Sequence, residues 1–197
     1  GYANTVRPEG WEKFGTGIEY AKDCYERAWQ IRQDLPFVAS GGLGTAMGDK
    51  REARKWFDRV VSAQLDFRPA YQTYIFYALY PRWCGSLEEM KEFGEECLAT
   101  GRFDTDVPLF YVETMFRIAK ELEGDWAEAF KDSKDFDTCT NVLTRYMPPD
   151  NAPTNPKTIW KRWSCASGLS ALSTLSGDYQ TIRRVNKYLR EMSGSGQ

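Results

Sequence analysis

A chain of 197 residues is long enough for one domain or a short repeat array, and 42% apolar with 15% aromatic residues supplies a packed core. Charged residues make up 27% with a net charge of −2, which excludes global disorder and any overall pull toward nucleic acid or a membrane surface. There is no histidine, which excludes Ser-His-Asp and Cys-His nucleophilic systems and the commonest zinc sites.

In chain order, Trp11, Phe14, Ile18, Ala21, Tyr25 and Ala28 recur at steps of three and four and predict a first long helix, entered after Pro8 and stopped before Pro36. A short helix rich in Gly and Ala is expected over residues 38–47. Its Gly41, Gly42 and Gly44 lower helicity but admit a neighbour at close range, and they lack the spacing and the lysine of a phosphate-cradling loop. After a turn at Gly48 and Asp49, a third helix turns Ala53, Trp56, Phe57, Val60, Val61 and Gln64 inward. Arg68 and Pro69 open a fourth through Tyr71, Tyr74, Ile75, Ala78 and Leu79, which must break near Pro81.

Ser86 and Glu89 have the spacing of a capping box for a fifth helix carrying Leu87, Met90, Phe93, Cys97 and Leu98, ended by Gly101. Asp104 or Thr105 caps a sixth with Val107, Val112, Met115, Phe116, Ala119 and Leu122 on one face, closed by Gly124 and Asp125. Shorter helices are expected over residues 126–131 and 134–146. Four prolines and two asparagines in residues 148–156 mark a loop and a candidate internal boundary within one helical-repeat domain, 1–197. A last pair is expected over residues 157–175 and 178–192, joined at Gly177. No run alternates with the period of a strand, so the fold class is all-α.

Charge is unevenly spread: fifteen Asp or Glu against six Lys or Arg from Ser86 to Cys139, then seven basic against two acidic residues from Lys157 to Met192. Five widely spaced cysteines contain no C-x-x-C pair, fit free thiols in a reducing compartment, and leave one or two disulfides open. The strongest apolar run, residues 74–80, is too short to span a bilayer. A cytoplasmic location is expected, although a removed signal peptide leaves no trace here. The start at Gly1 and the Ser193-Gly194-Ser195-Gly196-Gln197 tail suit a piece of a longer protein.

Leu169, Gly177, Asp178 and Tyr179 stand at the offsets of a tetratricopeptide repeat, with helix-B positions on Ile182, Asn186 and Leu189, where Ile replaces the small residue and Asn the aromatic. Ala21, Tyr25 and Ala28 followed by Asp34-Leu35-Pro36 look like helix B and its inter-repeat turn. Leu43, Gly44, Ala53 and Phe57 look like a next unit shortened by three residues, and Tyr71, Tyr74, Ala78, Met90 and Phe93 make a looser copy. The chain therefore resembles the tetratricopeptide family, which implies an α-α superhelix of antiparallel helix pairs. Pro81-Arg82-Trp83-Cys84-Gly85-Ser86 and Gly101-Arg102-Phe103-Asp104-Thr105 also resemble marks of a bacterial family of uncharacterised helical domains, whose pattern has glycine in place of Cys84. That resemblance implies a bacterial origin and brings no activity with it.

Candidate binding residues follow from these readings. Tyr71 and Tyr74 would occupy helix-A positions, which line the concave groove of such a superhelix, or pack in the core. Arg82 beside Trp83 can clamp a carboxylate or stack on a planar group, or Trp83 plugs the core while Arg82 pairs with an acid such as Asp104. Arg102 and Asp104 bind in the same region or tie the inter-helix turn together. Glu88, Glu92 and Glu95 on one helix face could do acid/base work but fit a wet surface, and Asp132, Asp135 and Asp137 lack the glycine and spacing of a calcium loop. Lys157, Lys161, Arg162, Arg183, Arg184, Lys187 and Arg190 with Trp160 and Trp163 could form a basic nucleic-acid platform or an ordinary amphipathic pair. The leading expectation is a protein-interaction module that binds a peptide or partner protein, with no metal, no cofactor and no nucleic acid. An enzyme or small-ligand binder using carboxylates and the Arg82-Trp83 loop ranks second.

Overall fold

Helix follows helix along the chain, as the three-and-four spacing requires. The computed structural model describes residues 6–147 and 156–177, together with Lys187. Every regular element among them is helical: a 3₁₀ turn at Pro8–Gly10, then α1 (Trp11–Ile31), α2 (Pro36–Thr45), α3 (Lys50–Ala63), α4 (Arg68–Tyr74) running into a π-helical turn (Ile75–Leu79), α5 (Leu87–Ala99), α6 (Leu109–Glu121), α7 (Trp126–Ala129), α8 (Ser133–Tyr146) and α9 (Pro156–Ser176). Helices adjacent in the chain pack on one another. No helix among the described residues is long and apolar enough to cross a membrane. The five cysteines are free thiols. Most of the 148–156 loop and the helix expected over residues 178–192 lie outside the described residues.

The chain divides into two compact units, Gly1–Glu92 with Thr105–Val107, and Phe93–Asp104 with Pro108–Gln197. In the first, α2 packs against α1 and α3, and α4 against both α2 and α3. The α2 glycines let this happen. A Cβ on Gly41 would run into the Tyr25 ring of α1, and one on Gly42 into the Trp56 indole of α3. Ala39, Leu43, Trp56 and Val60 are at most 1% exposed around this contact. Asp49 caps α3 by accepting from the Glu52 amide at 3.0 Å, after a left-handed Gly48 with φ of 81°.

A polar clamp crosses the same interface. Arg59 on α3 donates to Glu26 on α1 through two bonds of 2.6 and 2.8 Å, and its guanidinium lies 4.4 Å from the Trp56 ring and 5.5 Å from that of Trp29. The Arg59 hydrogen bond holds the Glu26 carboxyl at about 2, well below its ordinary 4.5.

In the second unit α6 packs on α7 and α8, and α8 on α9. Val112, Met115, Ile118, Val142, Leu143, Leu169 and Leu172 are buried. Gly94 on α5 is a further close approach, since a Cβ there would strike the Thr114 hydroxyl of α6. Asp125 and Asp132 cap α7 and α8.

Several sequence expectations are corrected. Trp11 is 49% exposed, and α1 presents a half-buried stripe with Trp29 alone fully inside. Gln64 is exposed, since it terminates α3 as its extended C-cap residue. Neither Asp104 nor Thr105 caps α6: the helix begins after Pro108, and the Thr105 hydroxyl accepts from the Val107 amide at 3.2 Å instead.

The glycine contacts predict opposite effects from one substitution type. Alanine in place of glycine gains up to about 1 kcal/mol of helix propensity, whereas overpacking costs about 1–3 kcal/mol. Gly44→Ala, with open space at its Cβ, is expected to raise the urea midpoint, and Gly42→Ala to lower it, with a net loss of stability of up to about 2 kcal/mol. Equal effects would contradict the packing described. The Glu26 clamp predicts a pH dependence. A depressed carboxyl contributes stability above its ordinary value, and that stability is lost as pH falls from 4.5 toward 2. With the Glu26 side chain 37% exposed, solvent screening reduces the contribution to about 1 kcal/mol. Urea titrations between about pH 6 and pH 2 should therefore show Glu26→Gln losing less on acidification than the parent by that amount.

Candidate functional site

The most distinctive local geometry lies where α4 meets Pro81. A proline at that position has no amide to continue the helix, and the last turn before it is widened: the Tyr80 amide donates five residues back to the Ile75 carbonyl at 3.1 Å. The chain then folds onto its own end. The amides of Trp83, Cys84 and Gly85 all approach the Tyr80 carbonyl, at 3.0, 3.4 and 3.1 Å. The Cys84 thiol lies 3.6 Å from the Ala78 carbonyl and 3.9 Å from that of Tyr77, where it serves the orphan acceptors of the helix end. Gly85 passes so close to Leu79 that any Cβ would strike the Leu79 backbone, so glycine is required there. Ser86 then caps α5, accepting from the Glu89 amide at 3.1 Å. The Glu89 carboxylate binds Lys50 at 2.6 and 2.7 Å, and that bond is the main cause of its lowered pKa.

This closed loop carries two of the sequence-predicted site residues. Trp83 is 41% exposed, yet its ring sits 6.3 Å from Phe76 and 6.0 Å from Tyr77, which meet each other edge-to-face at 4.9 Å. The Arg82 guanidinium lies over Phe76 at 5.0 Å and over Tyr80 at 5.4 Å. Arg82 is exposed, and among the described residues its contacts are rings and not an acid.

The other candidates are placed differently. Tyr71 and Tyr74 are 3% and 6% exposed and belong to the core of the first unit. Phe57 meets Tyr71 edge-to-face at 5.0 Å and stacks on Tyr74 at 4.7 Å, and the Tyr71 hydroxyl donates to the Leu65 carbonyl at 2.7 Å. Arg102 and Asp104 satisfy one another through two bonds of 2.8 Å, and this pairing holds the Asp104 carboxyl below its usual range. Both are exposed, and the pair ties the turn after α5. Nearby in the same unit, Arg145 lies 3.6 Å from the centre of the Phe103 ring.

One polar cluster escaped the sequence. Asp135, on the first turn of α8, is 6% exposed and accepts from the Tyr111 hydroxyl of α6 at 2.8 Å, with the Cys139 thiol buried one turn on. Burial first, then the neighbouring carboxylate, raises the Tyr111 phenol and the Cys139 thiol far above their ordinary values. A phenol and a thiol so displaced stay protonated at neutral pH. The pair is a structural tie between α6 and α8. No signal in sequence spacing joins residues on separate helices in this way.

Glu88, Glu92 and Glu95 are exposed, and among the described residues no three acids or thiols gather as a metal site. Of the basic C-terminal group, Lys161 stands 4.5 Å from the Tyr146 ring. Arg183, Arg184 and Arg190, and the side chains of Lys157, Trp160, Arg162 and Trp163, lie outside the described residues. No family model, no curated protein and no solved structure matches this chain.

Proposed function

We propose that the chain is a protein-interaction module, built on helix pairs of the tetratricopeptide type, that binds a peptide or partner protein through the surface around Trp83. The observation that carries this reading is an indole left 41% exposed on a loop closed by three amides on one carbonyl. A large ring held in place before binding loses little conformational entropy when a partner covers it, which is why tryptophan and arginine dominate binding energy at interfaces. The adjoining π-helical turn supports the same reading, since such turns occur frequently at functional sites. Other large apolar side chains of the first unit, Tyr20, Ile31 and Phe37, are exposed at 69%, 78% and 73%.

The role of Tyr71 and Tyr74 in this reading is indirect: they anchor α4 from the core, and the ring surface at its end does the binding. The test is selection of displayed peptides on the immobilised chain, followed by affinity measurement on Trp83→Ala. Loss of a hot-spot tryptophan is expected to weaken selected peptides by at least 2 kcal/mol, roughly thirtyfold. Unchanged affinity for every selected peptide, with the variant still folded, would remove the Trp83 surface from the binding site.

A further inference from the structure

We infer that the partner segment at this surface is acidic, with a carboxylate taken up by Arg82 beside an apolar side chain resting on Trp83. The inference rests on the interaction reading above and specifies its ligand.

The argument is one of charge and satisfaction. Arg32, Arg54, Arg59, Arg102 and Arg117 each hold a carboxylate of this chain, at 2.6 to 2.8 Å. Arg82 has no such acid among the described residues. Its fixed contacts are the faces of Phe76 and Tyr80, and a ring face attracts the cation without neutralising it. The guanidinium is thereby oriented while its N–H donors stay available, and a planar fork of donors matches a carboxylate in bidentate geometry. Both halves of the recognition are set on one short loop. Residue 82 supplies the donors and residue 83 the exposed apolar ring, and the Trp83, Cys84 and Gly85 amides close the loop on the Tyr80 carbonyl. A ligand of matching chemistry carries an acidic side chain next to an aliphatic or aromatic one. A basic segment would meet like charge and leave the donors unfilled.

The test uses the full chain labelled with nitrogen-15 and follows the Trp83 indole N–H and the Arg82 Nε–H during titration. The probes are the blocked peptides Leu-Glu-Glu-Leu and Leu-Gln-Gln-Leu, which differ in charge but hardly in shape, and oligothymidylate. The acidic peptide should move both signals and bind at least about threefold more tightly than the amide peptide. That advantage should shrink in about 0.5 M salt. In Arg82→Gln the two peptides should become equal while the Trp83 signal still responds. Equal binding of both peptides to the parent, or an acidic preference that survives in Arg82→Gln, overturns the inference and leaves the interaction reading standing. Trp83 signals that respond to neither peptide overturn both. A response to oligothymidylate alone overturns both as well and assigns the surface to nucleic acid.

Discussion

Everything in the first unit depends on how closely α2 can lie between α1 and α3. Two consecutive glycines, Gly41 and Gly42, present bare backbone to an aromatic ring on either side, Tyr25 and Trp56. A glycine-rich helix is intrinsically weak, by up to about 1 kcal/mol per glycine relative to alanine. Burial of its neighbours offsets that cost: fully covering a side chain the size of Leu43 contributes about 2 kcal/mol, and Trp56 more. The Arg59 guanidinium closes the outer edge, stacked on the Trp56 ring and bonded to Glu26. Steric fit and charge thus act on the same pair of helices, α1 and α3, with α2 as the spacer that sets their distance.

That arrangement fixes α4, and the end of α4 fixes the surface proposed for recognition. Phe57 of α3 packs against both Tyr71 and Tyr74 and sets which face of α4 turns inward. At Pro81 the backbone has to stop, and the widened turn together with the Tyr80 carbonyl converts a helix terminus into a closed loop. Polar groups that a frayed end would leave to water are served by the Trp83, Cys84 and Gly85 amides and the Cys84 thiol. The side chains of residues 82 and 83 are left outside the loop, supported by rings beneath them. The proposed site lies where the local rule of helix continuation fails, a common position for sites that need exposed yet ordered groups.

Much of this was legible in the sequence, and the failures have physical causes. Three-and-four spacing located α3, α4 and α5 and their buried faces, because a helix covered on one side must repeat its apolar residues with its own period. Gly48, Gly101, Gly124 and Gly177 take positive φ, between 62° and 85°, at turns that the glycines themselves announced. Gly41 and Gly42 read correctly as a packing device, whereas Gly44 faces open space. Tyr71 and Tyr74 read equally as groove or core, since a tyrosine suits both until its neighbours are known, and burial decides for the core. The Tyr111 and Asp135 pair was invisible because burial of a carboxylate depends on a partner 24 residues away. The widened turn before Pro81 was also missed: proline announces that a helix ends, and tertiary packing decides how.

A stiff interior carrying an exposed, pre-set ring surface is the central claim, and stiffness is a measurable quantity. Nitrogen-15 relaxation on the free chain, read at the Trp83 indole N–H, tests it most directly. An order parameter near that of rigid backbone, about 0.85, is what a loop closed on the Tyr80 carbonyl and braced by Phe76 and Tyr77 predicts. A value below about 0.6 would mean that the indole moves freely in the absence of a partner. The surface would then be made by its ligand and not by the fold.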